Sequence, residues 1–118
     1  MMSKCIGIVG SRRRDGDDDY KKCEWAFLEI YEKGDSIVSG GCPKGSDRFA
    51  EVIAKKYNVP IKIHYAEWDK YGKSAGFKRN TYIAQDANVL IALMIAGSHG
   101  TADTIKKAEA MKKKIILC

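Results

Sequence analysis

Glycine, hydroxyl and cationic side chains recur in this sequence just after short apolar runs. Backbone cradles for anions are built from that combination. The fullest instance is Val38-Ser39-Gly40-Gly41-Cys42-Pro43-Lys44-Gly45-Ser46-Asp47. Ile37-Val38 leads into two adjacent glycines, then a proline, a lysine and a third glycine, and an amphipathic helix begins near Ser46. Adjacent glycines let N–H groups come close to a ligand. A helix start adds unpaired N–H groups and the positive end of the dipole, and Lys44 adds a full charge. The natural guest is a phosphate or another anion, although a tight strand-to-helix turn without a guest uses the same residues. Asp47 reads equally well as a contact to a ribose hydroxyl and as a capping carboxylate.

Two more segments follow the pattern. Gly10-Ser11-Arg12 closes the apolar run Lys4–Val9, where Arg12 can hold a phosphate or carboxylate with two hydrogen bonds. Gly97-Ser98-His99-Gly100-Thr101 closes Asn88–Met94, the most continuous apolar run of the chain. In addition, Lys78, Arg79 and Asn80 fall in the first turn of a helix expected over Phe77–Gln85. Cations there oppose the helix dipole, a conflict that a bound anion would offset.

The elements that must position these residues can be read from apolar spacing. Lys4–Val9, Asp35–Ser39, Pro60–Tyr65, Asn88–Met94 and Lys114–Cys118 read as strands. Ile61 and Ile63 alternate with Lys62 and His64, so the third strand belongs at an edge, with His64 solvated. An N-cap is expected at Asp17, Asp18 or Asp19. It opens a helix with Tyr20, Cys23, Phe27, Ile30 and Tyr31 on one face, stopped by Gly34. Phe49, Val52, Ile53 and Tyr57 mark the inner face of a helix over Ser46–Tyr57, and Ala102, Ile105, Ala108 and Met111 that of one over Thr101–Lys112. Ala66–Gly76 has no clear period and reads as a loop, with Trp68 and Tyr71 able to stack on a base or plug the core, the core being favoured for Trp68.

Strands and helices alternate throughout, so the expected fold is α/β: a single three-layer domain over residues 1–118 with a five-stranded parallel sheet. Right-handed crossovers give the order 3-2-1-4-5 and a switch point between strands one and four. All three glycine segments then meet at the carboxyl ends of neighbouring strands. No GxGxxG follows the first strand and no GxxxxGK[ST] occurs, so neither the dinucleotide fingerprint nor a P-loop applies.

The chain has 118 residues and a net charge of +6, with 45% hydrophobic and 31% charged residues, as expected of a soluble globular domain. Cys5, Cys23, Cys42 and Cys118 form no CxxC pair, and only His64 and His99 accompany them, which argues against a metal site. Reduced thiols, no signal-peptide pattern and no membrane-length apolar run point to the cytoplasm.

The motifs, taken together and in order, resemble the YspA-like branch of the SLOG superfamily. They are Gly10-Ser11-Arg12, Ser39-Gly40-Gly41 with Lys44-Gly45-Ser46-Asp47-Arg48, Trp68-Asp69-Lys70-Tyr71-Gly72 with Gly76, Lys78-Arg79-Asn80, and Gly97-Ser98-His99-Gly100-Thr101-Ala102. The resemblance implies a Rossmann-like fold and a crevice for nucleotides or nucleotide-derived ligands such as ADP-ribose-like molecules, used for sensing or effector output. The related LOG phosphoribohydrolases carry PGGxGTxxE. Here Ala96 and Ser98 replace its proline and second glycine, and Thr104 stands at the glutamate position, with Asp103 one residue earlier.

Three functions follow as expectations. The first is binding of a nucleotide-derived ligand, with no further cofactor. In it Gly40, Gly41 and Gly45 admit phosphate, Arg12, Lys44, Lys78 and Arg79 neutralise it, and Gly10, Ser11 and Ser39 join the ligand-binding set. Asp47 and Asn80 serve ribose or base, and Gly97, Ser98, Gly100 and Thr101 hold a second phosphate. The second is hydrolysis or transfer at an N-glycosidic bond, with Asp103 or Asp47 as the carboxylate. The third, a DNA-binding module related to DprA, is disfavoured because the basic residues gather around one crevice rather than along a stripe. Assembly into a homo-oligomer is compatible with the sequence.

Overall fold

The structure is a computed structural model and describes residues 3–118, so the first two residues of the expected domain lie outside it. Five strands, β1 (Cys5–Gly10), β2 (Ser36–Ser39), β3 (Ile61–Ile63), β4 (Val89–Leu93) and β5 (Lys114–Leu117), form one parallel sheet in the order β3-β2-β1-β4-β5. The α/β class and the 3-2-1-4-5 order expected from the sequence are therefore found. Ile6 pairs with Ile37 on one side and with Val89 on the other.

Strand alternation divides the core into two layers. Ile6 and Ile8 of β1 and Val89, Ile91 and Leu93 of β4 point to one face. There they meet Cys23 and Phe27 of α1 (Asp17–Ile30) and Phe49 and Ile53 of α2 (Ser46–Tyr57). Val9, Val38, Leu90 and Ala92 point to the other. They meet Ile83 and Ala84 of α4 (Ala75–Asp86) and Ala108 of α5 (His99–Ala110). β4 is buried along its whole length, as its unbroken apolar run requires.

Several local expectations need correction. The cap of α1 is Gly16, not an aspartate, and Asp17, Asp18 and Asp19 fill its first turn, where carboxylates suit the dipole. That helix ends at Ile30, and Gly34, at φ +98°, belongs to the turn before β2. On α2, Val52 is 40% exposed and Ala50 takes its place in the core. Residues 66–76 are not a plain loop. They hold a short helix, α3 (Trp68–Tyr71), and a 3-10 turn over Gly72–Ser74 that runs straight into α4. Because α4 starts at Ala75, Lys78 closes its first turn and Arg79 falls in the second, so the anticipated conflict with the helix dipole is weaker than expected. The last helix begins two residues early, at His99, and Thr101 and Thr104 face inward in place of Ala102. His64 is not solvated: its Nε2 lies 2.5 Å from Asp86 Oδ2 and its ring lies beside Tyr82. No helix among the described residues is long and apolar enough to cross a membrane.

Candidate functional site

At the carboxyl ends of the strands, where β1 and β4 diverge, lies an open crevice of about 730 Å³. Each of the three glycine segments contributes to its wall: Gly10, Ser11 and Arg12 from β1, Gly40 and Gly41 from β2, and Gly97, Ser98, Gly100 and Thr101 from β4. Asp47, Arg79 and Asn80 also border it. Ser39, Lys44, Gly45, Lys78 and Asp103 do not. Ser39 is fully buried behind the wall, Lys44 points into solvent, and Lys78 lies over the ring of Tyr71 at 4.6 Å.

The loop after β2 is largely occupied by the protein's own carboxylates. Asp15 Oδ1 accepts from Gly45 N–H at 2.7 Å and from Arg48 Nε at 2.9 Å. The Gly45 N–H, seconded by Arg48, holds the Asp15 carboxyl below its ordinary pKa. Asp47 Oδ2 accepts from Cys42 N–H at 3.0 Å. The Ser39 hydroxyl shares its one proton between the Ile8 carbonyl (2.7 Å) and Asp47 Oδ1 (2.8 Å). Gly45 has φ +72°, and a Cβ there would lie 2.5 Å from the Ser11 carbonyl oxygen, so this glycine serves backbone-to-backbone closure rather than ligand approach.

The loop after β4 is arranged differently. No carboxylate sits in the first turn of α5, and its cap, Ser98, like the α2 cap Gly45, makes no side-chain capping hydrogen bond. The Ser98 hydroxyl oxygen is buried and has no hydrogen-bond partner among the described residues. A Cβ at Gly100 would meet no atom within 4 Å. Arg13 borders the crevice and donates from Nη2 to the Ala96 carbonyl at 2.8 Å. Arg12 borders it too and pairs with no carboxylate or carbonyl among the described residues. The result is an open helix N-terminus with the Arg13 guanidinium beside it and Arg12 elsewhere on the crevice wall, suited to an anion.

A strut of side chains crosses the floor between the two loops. Arg79 Nη1 donates to the Gly40 carbonyl at 2.9 Å and Arg79 Nε to Asn80 Oδ1 at 3.0 Å. From Asn80, Nδ2 donates to the Gly100 carbonyl at 3.1 Å and to Asp103 Oδ2 at 3.2 Å. Asp103 is further held by Lys107 Nζ at 2.8 Å. Asp47 is therefore the only carboxylate among the residues bordering the crevice. Thr104, at the position of the LOG glutamate, also borders it, buried with its hydroxyl donated to the Gly100 carbonyl at 3.1 Å.

Sequence reasoning passed over Arg13, Tyr65, His99 and Thr104 as wall residues, and it favoured the core for Trp68. Trp68 is instead 58% exposed and borders the crevice, because α3 lifts it onto the rim. Tyr65 had a usable signal, its position just beyond the end of a strand on the site side of the sheet.

No family model matches the chain. Over 79 residues it is 32% identical to the Gene 61 protein of Mycobacterium phage D29, a stretch covering 62% of this chain and 62% of the phage protein. The fold is that of the molybdenum cofactor binding protein from the phototrophic bacterium Rippkaea orientalis. The two superpose with a TM-score of 0.78 over 99% of this chain and 77% of the other, at 23% identity.

Proposed function

We propose that this chain binds a nucleotide or nucleotide-derived ligand of the ADP-ribose-like kind, as a sensor or effector of the YspA-like SLOG type. The observation that carries the reading is the open N-terminus of α5. Its Ser98 hydroxyl has no partner among the described residues, and Arg12 and Arg13 line the same crevice. Buried hydroxyls normally have a partner; Ser46 at the start of α2 is orphaned too, so the acid-free first turn of α5, with Arg13 beside it, is what favours a phosphate on these helix N–H groups. Ligands of α/β sheets bind at the switch point, where this crevice lies. The likeness to a molybdenum cofactor binding protein is in keeping with small-molecule binding on this scaffold and adds that cofactor to the compounds to be tried.

Thermal shift against AMP, ADP, ATP, NAD, ADP-ribose, cyclic nucleotides and the molybdenum cofactor tests the reading, each mixture then being resolved by chromatography. A ligand at a hundred times its Kd adds about 2.7 kcal/mol, a rise in midpoint on the order of 10 °C for a chain of this size. A shift with the ligand recovered intact supports binding as the function; the absence of any shift overturns the proposal.

One observation bears on N-glycosidic cleavage as a second reading. Asp47 borders the crevice while Asp103 is tied to Lys107 and Asn80 outside it, so the chemistry would fall to Asp47. Free base released by the native protein and not by Asp47→Asn would favour it. Equal release from both would remove Asp47 from the chemistry.

A further inference from the structure

The exposed large aromatic side chains of this protein are Trp25, Tyr65, Trp68, Phe77 and Tyr82. Three of them are engaged. Trp25 Nε1 donates to Glu29 at 2.8 Å, Phe77 lies under Lys107 Nζ at 5.8 Å, and Tyr82 faces His64 at 5.6 Å between ring centroids. Tyr65 and Trp68 are 67% and 58% exposed, and neither has a stacking, cation–π or hydrogen-bonding partner among the described residues. Both border the same crevice.

Their seating is specific. The Cδ1–Cε1 edge of Tyr65 occupies the space that a side chain at position 41 would fill: a Cβ on Gly41 would come within 2.5 Å of Cε1. The benzo edge of Trp68 rests against Gly76, where a Cβ would lie 3.3 Å from Cη2. Each ring thus has a glycine behind it, with Ile63 Cγ2 beside the edge of Tyr65. Tyr and Trp offer large, flat contact area at little conformational cost, and free aromatic faces beside a polar cavity seat planar rings.

Position within the sheet adds a direction. Tyr65 and Trp68 follow β3, whereas the open end of α5 follows β4. Two strands, β2 and β1, lie between. Tyr65 rests on Gly41 of the β2 loop, and two strand spacings from β2 to β4 amount to about 10 Å, so the Tyr65 ring and the anion end stand on different flanks of one crevice.

We propose that Trp68 and Tyr65 form a stacking seat for a planar heteroaromatic ring, and that the ligand lies across the strand ends with its anionic group at the N-terminus of α5. This rests on the reading of the crevice as an anion site and adds the side chains that hold the ligand's ring and the direction in which it lies. It requires a molecule with a heteroaromatic ring at one end and a phosphate-type group at the other.

The test compares ADP, GDP, CDP, UDP and flavin mononucleotide with inorganic pyrophosphate by calorimetry. The proteins are the native chain, Trp68→Ala, Trp68→Phe and Tyr65→Ala. In a Trp25→Phe background, Trp68 becomes the single tryptophan and reports directly by fluorescence. At least one ring-bearing probe should bind roughly tenfold or more tightly than pyrophosphate and change the Trp68 emission. Trp68→Ala should weaken that probe by about 5- to 150-fold and leave pyrophosphate unchanged, with Trp68→Phe restoring most of the loss. Equal affinity for pyrophosphate and every ring-bearing probe, or indifference of all of them to Trp68→Ala, overturns the seat and leaves the anion site standing. Binding of none of the probes overturns the anion site and the seat together.

Discussion

The loops that lead into α2 and α5 look alike as strings of letters: an apolar strand, small residues, two or more glycines, then a helix. In the folded chain they differ in whether carboxylates have filled them. The α2 loop has its Gly45 and Cys42 N–H groups taken by Asp15 and Asp47. The α5 loop carries no acid in its first turn; a buried serine hydroxyl without a partner among the described residues stands at both helix starts, Ser46 and Ser98. The difference teaches that a glycine loop is an anion site only if the protein has not supplied the anion itself. A carboxylate 30 residues away in sequence takes an N–H at the helix start that a ligand would otherwise meet.

Glycine-to-alanine changes should break the pair apart most strongly. Gly45→Ala forces a left-handed φ and a backbone clash on one residue. We expect a loss of about 3 kcal/mol, read as a fall in melting midpoint on the order of 10 °C. The same change at Gly100 meets open space within a helix. It should leave stability unchanged or raise it by up to about 1 kcal/mol. Similar losses at both positions would mean that the loops are built for the same purpose.

Charge removal should separate them in binding. Arg12→Ala deletes a guanidinium on the crevice wall that has no partner among the described residues. A phosphate-bearing ligand should then bind about 10- to 100-fold more weakly by calorimetry, at an unchanged melting midpoint. Lys44→Ala removes a solvent-facing charge beside the filled loop and should alter affinity less than about twofold. Reversed outcomes would make the α2 loop the anion site after all.

Acid titration sharpens the contrast more gently. The folded pKa of Asp15 is lowered, so its stabilising effect is fully present above the unfolded carboxylate value of about 3.9. It fades as pH falls through the lower folded value. Asp15→Asn should therefore melt lower than the native chain near neutrality, with the two converging at the acid end of a melting series. A gap that stays constant down to that end would show that the Asp15 charge contributes nothing to holding the α2 loop.

Most of the sheet was legible because each strand is a short apolar run bounded by glycine or a turn, and alternation with helices forces parallel crossovers. The bounds of α2 were legible too, since Ser46, Asn58 and Pro60 punctuate both ends. Residues 66–76 misled because Gly72 and Gly76 interrupt the helical period within so short a helix that no stripe repeats. The filling of the α2 loop was not readable at all. Asp15 sits in a mixed-charge stretch with no local pattern, and its pairing with Gly45 exists only once β1 and β2 lie side by side. The commitment of Asn80 and Asp103 to the strut is hidden for the same reason, for it depends on α4 and α5 packing together.

That strut has a mechanical meaning. The two jaws of the crevice are carried on different strands, and loops of this kind would ordinarily drift apart independently. Arg79 and Asn80 act as a tie-rod between them, anchored at the Gly40 carbonyl on one side and the Gly100 carbonyl on the other. The gauge of the opening is thus set by two neighbouring side chains on one helix turn, and a molecule too wide for it must break the rod before it can enter.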